Sequence, residues 1–286
     1  MPSLIFDVGF HRGEDTRTYL EMGYRVVAVD ADPRNIAWAK NEFSREVDSG
    51  QLRLEHAAVS DSEGTIDFHL SKTTVWSSIK SGIADRRGRS DCNIQVPTRR
   101  LDRLFEQYGT PDYCKIDVEG YDAICAKTLL DYPHRPRFIS VETECLAEGE
   151  KAGPETYLET LFVLRDLGYN RFKLVDQTSL QVLDAERIYD DRPLSFTAAI
   201  SKFLNRGGYD HLFRRVKRSS RTKLKERLGY EYPAGATGPF GDSLDGQWST
   251  VDEAQSLIEF HRAAYFRMST ARDFGFWCDW HATRLV

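Results

Sequence analysis

The chain has 286 residues, 41% hydrophobic and 29% charged, and its 39 basic against 44 acidic side chains leave a net charge of −5. Such a composition buries a core and excludes an intrinsically disordered chain, and the acidic balance excludes nucleic-acid binding through bulk charge. No apolar run approaches the length of a transmembrane helix, and Met1 to Asp7 carry neither a basic segment nor a long apolar stretch, so a signal peptide is not expected.

Leu4–Gly9 is a short apolar run closed by glycine and predicts a buried strand. Glu14–Met22 predicts a helix that Gly23 stops. Arg25–Asp30 reads as a second buried strand, and Pro33 opens a helix through Phe43, since proline suits a first helical turn. Leu52–Val59 is a third strand and Thr65–Leu70 a peripheral fourth. Ser71–Val96 is polar and irregular and reads as a long functional loop. A helix over Leu101–Tyr108, a central strand over Tyr113–Val118, a helix over Asp122–Leu130 and a strand over Phe138–Glu142 follow. Tyr157–Leu167 is helical and ends at Gly168, and Arg171–Val175 and Ser195–Ile200 close the series as strands. Alternating strands and helices imply a mostly parallel sheet covered on both faces, with ligands bound beyond the C-terminal strand ends. This predicts a domain over residues 1–200.

Residues 201–286 differ in character and predict a helical and irregular C-terminal extension. His211 to Arg227 holds eight lysines and arginines against Glu226 alone. It reads as a solvated helix or linker, as a binding surface for an anionic acceptor such as a phosphorylated or lipid-linked saccharide, or as a weak membrane-surface helix. Nucleic acid is not expected, because no stacking platform accompanies the charge. Thr250 to Glu253 has capping-box spacing ahead of a helix, and Phe274 to His281 is dense in aromatics. That aromatic tail either docks on the core or forms a lid over an acceptor site, with Asp279 and His281 flanking Trp280. Cys92, Cys114, Cys125, Cys145 and Cys278 form no C-x-x-C pair and predict neither disulfides nor a zinc site, which fits a cytoplasmic protein.

Three constellations could carry chemistry. The first is Asp7-x-Gly9-x-x-x-Gly13, between strand one and helix one, where glycines let a ligand approach the backbone and the helix start offers free N–H groups. Its G-x-x-x-G spacing is not the dinucleotide G-x-G-x-x-G; a plain strand-to-helix turn is the alternative. The second is Asp30, 21 residues beyond Gly9, where a carboxylate can accept both ribose hydroxyls of an adenosine, while Asp32 caps the next helix. The third is Lys115-Ile116-Asp117-Val118-Glu119-Gly120, three charges alternating at the end of a central strand. Such charges are costly to bury unless paired or used, so they mark either a site or a Lys115–Glu119 salt bridge that closes the sheet end. His56 faces either the core or a pocket beside Ala57 and Ala58, which leave room for a flat base.

Together these motifs resemble the FkbM-type methyltransferases, which depend on S-adenosyl-L-methionine. Asp7, Gly9, Gly13 and Thr16 match the family's first motif, with Phe10 and His11 at positions usually Ala and Asn. Asp30 matches its second motif, and Lys115, Asp117, Glu119 and Gly120 match Lys-x-Asp-x-Glu-Gly in full. Leu101-Asp102, Ser77-Ser78 and Glu142 match lesser features, and the resemblance covers residues 4–200. It implies a Rossmann-like class I methyltransferase fold, with a mostly parallel seven-stranded sheet and helices on both faces. It also implies that Asp7, Gly9, Phe10, His11, Gly13, Thr16, Asp30, Ala31, Ala57, Ala58 and Asp117 surround the cofactor, whose product is S-adenosyl-L-homocysteine.

The implied reaction is in-line methyl transfer, most of whose rate can come from positioning. Asp117 and Glu119 are the candidate bases, with Lys115 orienting them, and Asp117 could equally hold the amino group of the methionine part. Trp76, Ser77, Ser78, Glu142, Asp279 and His281 are the candidate acceptor residues, the acceptor being a small-molecule or saccharide hydroxyl. The chain starts close to strand one, so acceptor specificity is expected from the 71–96 loop and the C-terminal extension. No His, Cys or Asp cluster has convincing metal spacing, and a cation on Asp117, Glu119 and Glu142 is disfavoured. A nicotinamide-dependent oxidoreductase is the competing enzyme, and a non-catalytic cofactor-binding module acting through the basic segment the competing non-enzyme.

Overall fold

The computed structural model describes residues 3–71, 90–118, 120–143, 153–177, 179–184, 221–268 and 277–284. In chain order the elements are β1 (Leu4–Val8), α1 (Glu14–Glu21), β2 (Arg25–Asp30), α2 (Pro33–Glu42), α3 (Ser44–Ser49), β3 (Leu52–His56), β4 (Ala58–Val59), β5 (Gly64–Ser71) and β6 (Ser90–Arg99). Then come α4 (Leu101–Tyr108), β7 (Tyr113–Ile116), α5 (Asp122–Lys127), β8 (Phe138–Glu142), α6 (Pro154–Tyr157), α7 (Glu159–Asp166), β9 (Arg171–Asp176) and β10 (Gln181–Leu183). A helix over residues 221–228 (α8), α9 (Val251–Met268) and β11 (Cys278–Thr283) complete the set.

The main sheet has eight strands in the order β10-β9-β11-β8-β7-β1-β2-β3. β1, β2, β3, β7 and β8 pair in parallel, and β11 lies antiparallel between β8 and β9. The sequence LIFDV of β1 is buried at every position, as a strand covered on both faces requires. One face packs Phe6, Leu104, Phe105, Leu161 and Trp280 with Ala254 and Ile258 of α9. The other packs Ile5, Tyr19, Ile36, Ala39 and Tyr113 under Phe240, whose ring stacks on Tyr113 at 4.0 Å. Helices thus cover both faces, and the segment around Phe240 closes the second. Thr250 and Glu253 form the expected capping box at the start of α9, Thr250 N–H donating to Glu253 Oε2 at 2.7 Å. A second sheet, β4-β6-β5, stands beside the first. No helix among the described residues is long and apolar enough to cross a membrane.

Four expectations are corrected. The main sheet has eight strands where seven were expected. The run Leu52–Val59 is broken at Ala57, whose N–H donates to Asp30 O at 3.1 Å; β3 stays in the main sheet and β4 joins the second. Residues 90–96, read as loop, are strand, because Ile94 and Val96 alternate with Asn93 and Gln95 against β5. Finally, the sheet does not stop at residue 200. Cys278, Trp280 and Ala282 pack one face, and Asp279, His281 and Thr283 are buried on the other, so this part of the tail is an interior strand, in line with docking on the core, while Phe274 to Phe276 lie outside the described residues. Ser195–Ile200 and 211–220 lie outside the described residues.

Trp280 is fully buried between Val141 and Leu174 in register. Trp280→Ala is expected to cost about 3–5 kcal/mol, read as a lower urea midpoint.

Candidate active site

The centre is a buried lysine. Asp7 on β1 and Lys115 on β7 are register partners, so their side chains leave the sheet together on one face. Lys115 Nζ donates to Asp7 Oδ1 at 3.1 Å and Gly9 O at 3.2 Å, and stands 3.7 Å from both Asp15 Oδ2 and Asp117 Oδ2. Burial opposes its charge, but Asp7, Asp117 and Asp15 outweigh that and hold its pKa well above the usual lysine value. Thr16 Oγ1 donates to the other Asp7 oxygen at 2.6 Å. Asp15 accepts the N–H groups of Thr237 at 2.8 Å and Gly238 at 3.1 Å; burial still pushes its pKa up to about 7, against the pull of Lys115. Burial likewise raises Asp117, again opposed by Lys115.

The turn after β1 brings the strand ends together. A Cβ on Gly9 would lie 1.7 Å from Asp117 O, and Gly9 sits at φ +82, so glycine alone allows this contact. His11 N–H donates to Asp30 Oδ2 at 2.9 Å, Asp32 N–H to Asp30 Oδ1 at 2.8 Å, and Asn35 Nδ2 to Asp30 Oδ2 at 3.1 Å. Burial raises Asp30 to about 6 despite these donors. Arg12 N–H donates to Glu14 Oε2 at 3.0 Å, and His11 Nδ1 meets Glu14 Oε1 at 3.1 Å. Burial works against ionised Glu14, yet the His11 contact and charge hold it below the usual carboxylate range.

A cavity opens along this edge, from Asp30, Ala31 and Asn35 past Gly9 and Asp117 to Trp277. Ala57 and Ala58 form one wall, and Ala234 and Gly235 close another side. Of the expected cofactor residues, Gly9, His11, Asp30, Ala31, Ala57, Ala58 and Asp117 line it, as does Lys115. Asp7 and Thr16 are buried behind the lining and hold Lys115 from below. Phe10 is packed in the core, and Gly13 caps α1 in the left-handed region against Phe43. His56 is exposed, its Nε2 3.1 Å from Ala31 O, and reaches neither the core nor the cavity.

Glu142 closes β8, buried, and Asp279 and His281 are buried in β11. Lys115 pairs with Asp7, while its proposed partner Glu119, like Trp76, Ser77 and Ser78, lies outside the described residues. Asp117, Asp122 and Glu142 bring carboxylate oxygens within 4.8 Å of one another. Asp122 there also accepts the N–H groups of Val118 and Gly120.

Sequence reasoning missed Asp15, Asn35, Gln177 and Trp277. Asp15 sits beside Glu14 in a first helical turn, where acids are expected on dipole grounds alone, so nothing marked it. Trp277 carried a signal, two residues before Asp279 and just ahead of the alternating run of β11.

Residues 7–171 match the model of the methyltransferase FkbM domain, more than half of the chain. The chain belongs to the FkbM methyltransferase family. A curated relative, the 2-O-methyltransferase NoeI of Sinorhizobium fredii, is 27% identical over 155 residues, 49% of this chain and 62% of the relative's length. Among solved structures, a SAM-dependent methyltransferase from Geobacter sulfurreducens in complex with S-adenosyl-L-homocysteine aligns with a TM-score of 0.40 at 12% identity. That alignment covers 99% of this chain and 85% of the other. One from Thiobacillus denitrificans, also with S-adenosyl-L-homocysteine, gives 0.37 at 12% identity over 99% and 86%. The FkbM assignment rests on the domain match.

Two outcomes follow from the buried charges of this FkbM chain. Lys115→Met leaves Asp7, Asp15 and Asp117 without their shared cation and is expected to cost about 3–5 kcal/mol in urea unfolding. Asp15 titrates near 7 when folded and near 3.8 as a free carboxyl, so between those values the native state binds the extra proton. Its contribution is therefore present below the lower value and lost as pH rises through the upper. The fall in unfolding free energy between pH 4 and 7 should be shallower in Asp15→Asn.

Proposed function

We propose that this chain transfers the methyl group of S-adenosyl-L-methionine to a hydroxyl oxygen of a small saccharide or secondary-metabolite acceptor, in the cytoplasm. The observation that carries the cofactor class is the state of the turn after β1. In a nicotinamide enzyme, free amides at that turn receive a pyrophosphate. Here the amides of His11 and Arg12 already donate to the chain's own Asp30 and Glu14. A diphosphate would meet two carboxylates, whereas a sulfonium would be favoured. The lining acids Glu14, Asp30, Asp32 and Asp117 repeat that preference along the cavity.

The residues also fit the rest of this cofactor. Asp30 has acceptor capacity beyond its three donors, and the buried Asn35 Oδ1 beside it has no partner, so both can receive ribose hydroxyls. The side chains of Ala57 and Ala58 leave a flat wall for the base. S-adenosyl-L-methionine supplies an electrophilic methyl on a cationic sulfur. Asp117, one side-chain step above Lys115 and 19% exposed, stands where it can take the proton of an attacking hydroxyl. Lys115 holds that carboxylate in place, and the lining excludes water. Hydroxyl oxygen is chosen as the nucleophile because the relative named above is a 2-O-methyltransferase. Burial of the thiols Cys114, Cys125 and Cys278 without disulfides supports the reducing compartment.

Calorimetric titration with S-adenosyl-L-methionine, S-adenosyl-L-homocysteine and NAD tests the reading. Saturable binding of the first two is expected, weakened by about 1.5–3 kcal/mol, roughly 10- to 150-fold, in Asp30→Ala. Affinity should also fall as pH drops through about 6, where Asp30 protonates, and this dependence should vanish in Asp30→Asn. Binding of NAD alone, or of none of the three, would sink the proposal.

A further inference from the structure

Beyond Asp117 the same sheet face continues into β8, β11 and β9. In register, Asp279 stands between Glu142 and Val175, and Gln177 N–H donates to Trp277 O at 3.2 Å just past the end of β9. Side chains alternate along a strand, so Trp277, Asp279 and Gln177 share the face that carries Lys115 and Asp117. Gln177 Nε2 donates to Asp279 Oδ2. That leaves Asp279 Oδ1, Gln177 Oε1 and Trp277 Nε1 buried with no hydrogen-bond partner. Asp279 and Gln177 are each 2% exposed, and Trp277 lines the cavity that holds Asp117. Buried polar atoms are normally satisfied, so three orphans in one corner, of which Trp277 lines the cavity and Asp279 and Gln177 lie behind it, mark a place where a ligand entering past the indole completes the bonding.

We propose that Trp277, Asp279 and Gln177 form the subsite for an uncharged, polyhydroxylated acceptor, its ring against the indole. One ring hydroxyl exchanges hydrogen bonds with Asp279 Oδ1 and Gln177 Oε1, and a neighbouring oxygen accepts from Trp277 Nε1. A hydroxyl is both donor and acceptor, which suits an acid and an amide carbonyl side by side. Burial and the charge of Asp117 raise the Asp279 pKa, which favours its neutral form, a donor at Oδ1. An anionic group would instead face Asp117 and Glu142, and among the described residues the two lysines on this sheet face are already engaged. Lys115 is shared among three acids, and Lys173 Nζ donates to Leu244 O at 2.8 Å over the Trp248 ring. The side chain of Trp277 offers an apolar face with a polar edge, the form that suits a sugar ring. The described residues of this corner thus suit a neutral acceptor.

This inference rests on the methyltransferase reading, and its test separates the two. The full chain, labelled with 15N at tryptophan, is saturated with S-adenosyl-L-homocysteine. It is then titrated with methyl glycosides of neutral hexoses and 6-deoxyhexoses, and in parallel with the corresponding uronates and sugar phosphates. The Trp277 indole N–H resonance, assigned with Trp277→Phe, should shift saturably with a neutral glycoside and not with its uronate or phosphate. Gln177→Leu should weaken that binding at least about tenfold and leave S-adenosyl-L-homocysteine affinity unchanged; Asp279→Asn, which keeps a neutral donor, should retain more binding than Asp279→Leu. Cofactor-product binding with no shift from any neutral glycoside, or a shift from the charged sugars alone, overturns the subsite. Failure of S-adenosyl-L-homocysteine to bind overturns the methyltransferase reading itself.

Discussion

The ammonium of Lys115 is the interaction on which the rest of the structure depends. Three carboxylates from three parts of the chain converge on it: Asp7 from β1, Asp15 from α1, and Asp117 from the end of β7. None of these acids could be buried alone, and loss of the lysine would leave all three without a counter-charge. The lysine therefore fixes the register of β1 against β7 more firmly than backbone bonding alone. Through Asp15, which receives the amides of Thr237 and Gly238, it also ties down a segment more than two hundred positions beyond Asp15. The segment so held carries Phe240 onto Tyr113 and brings Ala234 and Gly235 to the cavity.

The same network determines what the cavity can receive. With one cation shared among three acids, and with Asp30 and Glu14 turned inward on the amides of the first turn, the open edge of the sheet is a field of acceptors. Rossmann-like turns commonly leave their helix amides to an anion. This turn uses them on its own side chains, and the difference lies in hydrogen bonds of about 3 Å from His11 and Arg12, not in the topology. Cofactor class is thus set by a local choice of hydrogen-bond partner on a shared fold.

Much of this was legible in the sequence. The apolar run of β1, the acid ending β2 and the alternating charges after Tyr113 carry their chemistry in contiguous residues, where one strand end and one motif coincide. The cavity edge from Gly9 to Asp117 follows from them. What escaped was whatever depends on pairing at long range. Residues 90–96 alternate correctly for a strand, but their polar half faces solvent beside β5, and nothing local distinguishes that from a polar loop. Asp15 looks like an ordinary acid in a first helical turn until Lys115 and residues 237–238 are brought beside it. His56 reads as facing either the core or a pocket beside Ala57, yet it ends β3 exposed, with its Nε2 beside Ala31 O.

Strand β11 is the instructive case, because its aromatics read equally as a core-docking tail or as a cover. A run of aromatics near a chain end suggests a cover, and a cover needs one apolar face. Cys278–Thr283 has two buried faces, one made of Cys278, Trp280 and Ala282 and the other of Asp279, His281 and Thr283. A strand buried on both sides belongs between other strands, and its antiparallel direction lets it enter from the cavity edge and run away from it. Its first residues therefore stand beside Asp117, while its last pair with the starts of β8 and β9. Insertion in this sense gives residues late in the chain a rigid position at the site, and it makes the polar side of β11 part of the cavity's own architecture, where a flexible tail could not hold orphaned polar atoms in register.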